Sequence, residues 1–271
     1  MMELRKILYQ KCQDKTIKSA TDFLKRQLIN EKLKVDEVLW IVSTDAEIEV
    51  ARKYNVATIG YIDKEIEGQS LWGTEYLVEK LSDIDEDYAD KVYRRHHRLP
   101  WIIAQTDRCI IREFQMSDLD ALFELYAKPG ITEYVEPLFS YEEEAEYERA
   151  YIENMYRYFG YGMWVVFDKN TGRLIGRAGL EHREFEAEIG NELEMGYLFA
   201  PEYQHKGYAT EVCKEIIKYA RDNTEYKELN CFISEKNLAS IKLAEGLGFN
   251  FYEQTNESGK VMNRYKYLLK I

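Results

Sequence analysis

The sequence has no long hydrophobic run. Its longest apolar stretches, such as Val38–Val42 and Met163–Phe167, fall far short of the roughly 20 residues that cross a bilayer. The opening residues, Met1 to Lys6, hold no apolar signal-peptide core, so a cytoplasmic protein with no membrane partner is expected. Cysteine is scarce: Cys12, Cys109, Cys213 and Cys231 stand far apart without a C-x-x-C pair. That argues against a zinc knuckle or a disulfide framework and reads as ordinary reduced thiols. The four histidines never stand at i, i+4, so no metal is expected. Proline is as rare, with four residues to mark joints. Basic charge is in deficit, 37 Lys and Arg against 49 Asp and Glu for a net charge of −12. Phosphate contacts need clustered cations, so a general nucleic-acid binder is disfavoured.

What is present is a globular composition, 45% hydrophobic in 271 residues, enough for one large domain or two ordinary ones. The acidity is uneven. Residues 1–105 carry 17 basic and 19 acidic side chains, whereas residues 106–271 carry 20 and 30. The best boundary is the basic run Arg94-Arg95-His96-His97-Arg98-Leu99-Pro100, after which the pattern changes. A small Rossmann-like α/β module over 1–105 and an α+β domain over 106–271 are expected.

In the first part, apolar residues at helical spacing from about 3 to 30 predict helices. The continuous run Val38–Val42 predicts a strand covered on both faces. Ser43-Thr44-Asp45 predicts an N-cap, 46–54 a short helix, 56–61 a second buried strand and 74–81 a further helix. A strand–helix–strand unit of this kind implies a small parallel sheet. Residues 35–85 weakly resemble the haloacid-dehalogenase-like fold, but Val42-Ser43 replace its Gly-Asp, Glu47 replaces its second Asp, and no Asp-x-Asp nucleophile strand precedes. No phosphatase activity is therefore expected; a packing or dimerisation module, as in a homodimer, is the simpler reading.

The second part reads as a strand at Cys109–Phe114, a helix capped by Ser117-Asp118, an acidic helix over about 141–158, and a hairpin turned at Asp168–Gly172. Strands at 192–199 and 228–233, each followed by a helix (207–221 and 237–247), and a final pair at 249–253 and 261–269 complete a mostly antiparallel sheet. The informative segment is Leu198-Phe199-Ala200-Pro201-Glu202-Tyr203-Gln204-His205-Lys206-Gly207-Tyr208-Ala209-Thr210, which joins a strand to a helix. Small residues at that helix's first turn leave backbone N–H groups open to an anion.

Gln204, Gly207 and Ala209, in a Gln-x-x-Gly-x-Ala pattern, resemble the pyrophosphate loop of the GNAT N-acetyltransferase superfamily, in the branch with ribosomal-protein N-terminal-alanine acetyltransferases. Ile110-Ile111-Arg112, the hairpin Gly172–Gly176, Asn237-Leu238-Ala239-Ser240 and Leu247-Gly248-Phe249 match in order, so the resemblance spans about 107–269. It departs at Gln204-His205, where that branch usually has Trp-Gly.

The resemblance implies an acetyl-CoA-dependent N-acetyltransferase. Backbone groups of Leu198 and Ala200 would pair with the pantetheine; Gln204, His205, Lys206, Gly207, Tyr208, Ala209 and Thr210 would cradle the pyrophosphate; Asn237 and Ser240 would meet the thioester end. Asn237 also reads as a simple helix cap. Glu192 and Glu194 project from one strand face, and Glu194 lies where the family often carries its general base, acting directly or through a water. The usual proton-donating Tyr is replaced by Ala244, which leaves Ser240 as the nearest donor. Residues 113–153 hold twelve acids and two bases, either a solvated helical face or a field drawing a cationic amine such as a basic peptide N-terminus or a polyamine. The competing readings are a non-catalytic acyl-CoA-binding or protein-interaction protein and, less favoured, a hydrolase in the first domain.

Overall fold

A computed structural model describes residues 3–11, 15–184, 191–257 and 259–269; Cys12 lies outside them. The chain divides into two compact units, Met1–Trp101 and Ile102–Ile271. In the first, β1 (Lys6–Tyr9), α1 (Ile17–Glu31), β2 (Val38–Val42), α2 (Asp45–Tyr54), β3 (Ala57–Tyr61), β4 (Leu77–Val78) and α3 (Glu86–His96) follow in order. The four strands form one parallel sheet, β1-β2-β3-β4. β2 is apolar throughout because both faces are covered. Val38, Trp40 and Val42 pack with Phe23 and Leu24 of α1 and Ile48 of α2, while Leu39 and Ile41 pack with Ala89, Val92 and Tyr93 of α3.

Two expectations fail here. Residues 6–9 form a strand, because Leu8 is buried and the segment has β2 to pair with, a non-local contact that helical spacing does not register. Residues 74–81 contain β4 rather than a helix, followed by a short 3-10 turn at Leu81–Asp83. The helix starts later, where Asp85 accepts from the Tyr88 N–H at 2.8 Å, and it absorbs Arg94, Arg95 and His96 of the basic run into its last turn.

Glu47, which stands where the haloacid-dehalogenase-like pattern has its second Asp, is fully buried and caps α2. Its Oε2 accepts from the backbone N–H groups of Ser43 (2.8 Å) and Thr44 (3.0 Å). Desolvation nonetheless raises its pKa, these hydrogen bonds opposing. A carboxyl whose folded pKa is raised supports the fold most at low pH and loses that support as pH rises through the raised value. Glu47→Gln keeps an acceptor without the charge. We expect its thermal midpoint to equal or exceed the parent's at about pH 8, with the difference fading toward about pH 5; a midpoint lower at the alkaline end would refute this.

The second unit runs β5 (Ile102–Gln105), β6 (Cys109–Arg112), α4 (Leu119–Tyr126), α5 (Tyr141–Tyr151), a π-helical turn (Ile152–Tyr156), α6 (Arg157–Phe159), β7 (Met163–Asp168), β8 (Leu174–Glu184), β9 (Asn191–Phe199), α7 (Tyr208–Asn223), β10 (Glu228–Ser234), α8 (Leu238–Leu247), β11 (Asn250–Glu257) and β12 (Lys260–Leu268). Its eight-stranded sheet has the order β11-β12-β10-β9-β8-β7-β6-β5. Among the described residues every neighbouring pair is antiparallel except β9 and β10. The β7–β8 turn is tied by Asp168 Oδ1, which accepts from Asn170 and Thr171, and closes on Gly172 at φ 66°.

Alternation gives β8 and β9 two unlike faces. Ala178, Leu180, Leu193, Met195 and Phe199 enter the core with Val212, Cys213, Ile216 and Ile217 of α7. The opposite face presents Arg177, Gly179, Glu181 and Arg183, paired in register with Leu198, Gly196, Glu194 and Glu192.

Candidate active site

The site is built around the β9–β10 pair. These strands are in register at Leu193↔Leu229 and Glu194↔Asn230, yet β9 continues to Phe199 and β10 to Ser234 without further pairing. A parallel pair that opens in this way leaves a cleft at the carboxyl ends of the strands, where ligands of α/β sheets settle. Helices begin beyond both ends, α7 after β9 and α8 after β10.

Which backbone groups face the opening is a matter of parity. The Ala200 N–H donates to Ile175 O at 2.8 Å, and Leu198 stands opposite Arg177, its carbonyl so close to Gly176 that an added Cβ would lie 2.4 Å away. Leu198 and Ala200 thus spend their backbone groups on β8, which corrects the expectation that they pair with a pantetheine. Met195, Tyr197 and Phe199 turn the other way: Met195 O accepts from Cys231 Sγ at 3.3 Å, and Phe199 O from Gln204 Nε2 at 2.8 Å.

The loop after β9 passes through a 3-10 turn at Pro201–Tyr203, then His205 and Gly207 in left-handed backbone at φ 55° and 81°. Gly207 caps α7 without a side-chain bond, and the first helical bond runs from Glu211 N to Gly207 O. The N–H groups of Tyr208, Ala209 and Thr210 therefore have no intrahelical acceptor and stand at the positive end of the helix dipole. These residues fit a pyrophosphate. The Gln204 side chain ties the loop to β9, and Lys206 Nζ donates to Glu202 O at 2.7 Å.

Sequence reasoning missed what braces this turn. Arg108 donates to Lys206 O at 3.0 Å, ion-pairs with Glu211 at 2.6 Å and lies 4.0 Å over the Tyr208 ring, whose hydroxyl donates to Asp168. An open cavity of about 630 Å³ lies alongside, lined by Gln105, Thr106, Asp107, Thr210, Glu211 and Lys214 among others. The only sequence signal was an Arg next to the opening strand, with nothing to name its partner 103 positions away.

At the other helix, Asn237 caps α8, its Oδ1 accepting from Ser240 N at 3.1 Å. Ser240 is half-buried, and its carbonyl accepts from the Tyr197 hydroxyl at 3.2 Å. Ala244 is fully buried. The Cys109, Cys213 and Cys231 thiols are free and buried, and desolvation pushes all three up, Cys109 to about 11, so none is poised as a nucleophile. Among the described residues no group of three or more His, Cys, Asp or Glu could hold a metal.

Glu194 is ion-paired with Arg183 at 2.6 Å, and Arg183 rests 4.1 Å over the Phe232 ring. Glu192 pairs with the buried Arg264, which also donates to Asn230 Oδ1 and Glu253 Oε1. The two strand carboxylates are therefore both held by arginines. Of the twelve acids between 113 and 153, Glu113, Asp118, Glu144 and Glu148 are buried. Asp118 binds Arg112 at 2.7 Å, Glu144 accepts from Phe139 N at 3.0 Å, and Glu148 pairs with Arg177 at 3.0 Å. The exposed remainder includes Glu142 and Glu146, beside exposed Phe139, Tyr141 and Tyr147.

This fold has counterparts. YkkB of Bacillus subtilis (strain 168) is 26% identical over 162 residues, 59% of this chain and 92% of that protein. The N-acetyltransferase YoaA of the same organism is 26% identical over 149 residues, 54% and 82%. The solved RimL ribosomal L7/L12 alpha-N-protein acetyltransferase in complex with coenzyme A shares the fold at a TM-score of 0.53 and 18% identity, over 62% of this chain and 97% of that one. The haloacid-dehalogenase-like resemblance of residues 35–85 finds no support among them. The sequence model of the acetyltransferase (GNAT) domain matches residues 108–250, more than half of the chain, which therefore belongs to the GNAT acetyltransferase family.

Proposed function

We propose that this acetyltransferase moves an acetyl group from acetyl-CoA directly to a primary amine of cationic character, such as a protein N-terminus or a polyamine. The observation that carries the reading is the opening between β9 and β10 with the uncapped first turn of α7 at its end. In it, the N–H groups of Tyr208, Ala209 and Thr210 bind the pyrophosphate, Gln204 and Arg108 hold the loop in shape, His205 shapes the turn in left-handed backbone, and Lys206 adds positive charge. The backbone of Tyr197 and the Phe199 N–H take the pantetheine amides as an added strand would, the Phe199 carbonyl being held by Gln204. The thioester supplies the acetyl group.

Glu194 receives the acceptor ammonium, which sheds a proton on that face of the sheet, directly or through a water. The nitrogen then forms its bond to the carbonyl carbon while the carbon–sulfur bond breaks and the thiolate gains a proton. Ser240, at the first turn of α8, is the proposed donor of that last proton, which it recovers from the nitrogen as the latter sheds its second proton to become an amide. The exposed acids and rings around Phe139, Glu142, Glu146 and Tyr147 suit a cation, since rings 5.8 Å apart at Phe139 and Tyr147 offer π faces beside carboxylates.

The test is thiol release from acetyl-CoA across peptides, polyamines, amino acids and aminoglycosides, at low and high salt. We expect turnover on cationic amines that weakens with ionic strength, and a reduced rate in Glu194→Gln and Ser240→Ala. Stabilisation by acetyl-CoA without thiol release would instead support a binding protein.

A further inference from the structure

Glu181 on β8 has no role in the reading above, yet it stands directly opposite Glu194 in the β8–β9 register and on the same face. Like charges placed opposite each other in a sheet repel, so the pair calls for a cation. Arg183 bonds one of the two, Glu194 at 2.6 Å, while Glu181 has no hydrogen-bond partner among the described residues. One step along the strands lie Gly179 and Gly196, where Gly162 and Met163 of the neighbouring chain segment pack closely: an added Cβ would lie 2.1 Å from Gly162 O at Gly179 and 3.4 Å from Met163 Sδ at Gly196. Of the two carboxylates themselves, Glu181 is exposed and Glu194 half-buried.

We propose that Glu181 is the catalytic residue on which the acceptor's proton finally rests, with Glu194 holding the ammonium in place. This rests on the acetyltransferase reading. Arg183 already bonds the Glu194 carboxylate at 2.6 Å, whereas no hydrogen bond holds Glu181 among the described residues. The ammonium loses one proton to the Glu181 carboxylate, its nitrogen lone pair attacks the acetyl carbon as the carbon–sulfur bond breaks, the nitrogen's second proton passes to the departing thiolate, and the Glu181 carboxylic acid later returns its proton to solvent.

The surroundings of Glu181 agree with that task. Glu181 is exposed, yet its surroundings raise its pKa through desolvation, with Arg177 and Arg183 on its own strand pulling the other way. Among the described residues, the other charged and titratable groups near it are Glu192 and Glu194 on β9 and Tyr147 and Tyr151 on α5, with Glu148 of α5 paired to Arg177 further along β8. A base works when deprotonated, so the rate falls as pH drops through the Glu181 pKa, which lies above the ordinary glutamate value.

The experiment compares full-length parent, Glu181→Gln, Glu181→Asp and Glu194→Gln in kcat and KM against pH, using the best amine from the panel. Glu181→Gln is expected to lower kcat about 100-fold, to leave KM for acetyl-CoA unchanged and to lose the acid limb of the kcat profile. Glu181→Asp should keep that limb at a lower rate. Glu194→Gln should mainly raise KM for the amine and retain the limb. If the parent turns over and Glu181→Gln matches its rate and profile, or Glu194→Gln alone abolishes the limb, the proposal is overturned while the acetyltransferase reading stands. A parent that binds acetyl-CoA and acetylates no amine overturns both.

Discussion

Arg177→Met is expected to lower the thermal midpoint by about 10 °C, the consequence of a loss of about 3–5 kcal/mol from an uncompensated buried charge. Arg177 is buried on β8, and its ion-pair partner Glu148 on α5 is completely so. Desolvation already holds the Glu148 carboxyl above its usual range, with Arg177 pulling it back and Glu144 pushing it up. Removing the guanidinium raises that pKa further. The sign follows: a carboxyl with a raised folded pKa favours the fold below that value and opposes it above, so the variant's deficit is smaller at about pH 5 than at about pH 8. Adding Glu148→Leu should restore most of the loss, because a buried pair replaced as a unit by apolar side chains leaves no unpaired charge. Thermal unfolding against pH checks both statements, and a deficit that grows on acidification would contradict the pairing.

Gly207→Val should raise KM for acetyl-CoA tenfold or more while leaving kcat near the parent value at saturation. A tenfold change is about 1.4 kcal/mol, the worth of losing one or two well-aimed backbone hydrogen bonds. Gly207 sits at φ 81°, a left-handed conformation that a β-branched residue adopts only with strain, and it caps the turn whose N–H groups lie open. An added Cβ would meet only Arg108 Nη2, at 3.5 Å, so the fold has room to survive the change. Initial rates against acetyl-CoA concentration decide it: an unchanged KM would separate this turn from the cofactor.

The parts of this molecule that could be read early are local ones. The hairpin at Asp168–Gly172, the Asn237 cap and the strand-to-helix turn at Gly207 each depend on a few consecutive residues whose backbone preferences are strong. β2 was legible because five apolar residues in a row demand cover on both faces. β1 and β4 were not: one is a short strand within a segment of helical spacing, the other two residues long, and each exists because a neighbouring strand offers hydrogen bonds. The same limit explains the exchange of Leu198 and Ala200 for Tyr197 and Phe199. That four alternating residues have two directions follows from the sequence; which direction faces β8 follows from register alone.

Charge shows the division most plainly. The sequence by itself determined that an acidic chain of two parts carries a small-residue turn suited to an anion, because composition and backbone preference are properties of neighbouring residues. Only the tertiary structure decided which acids remain available. Folding buries Glu148 against Arg177, ties Glu194 to Arg183 and Glu192 to Arg264, and leaves Glu181 facing them without a bonded partner among the described residues. Ion pairs form between side chains distant along the chain, and distance in space, not order in sequence, sets how strongly charges interact.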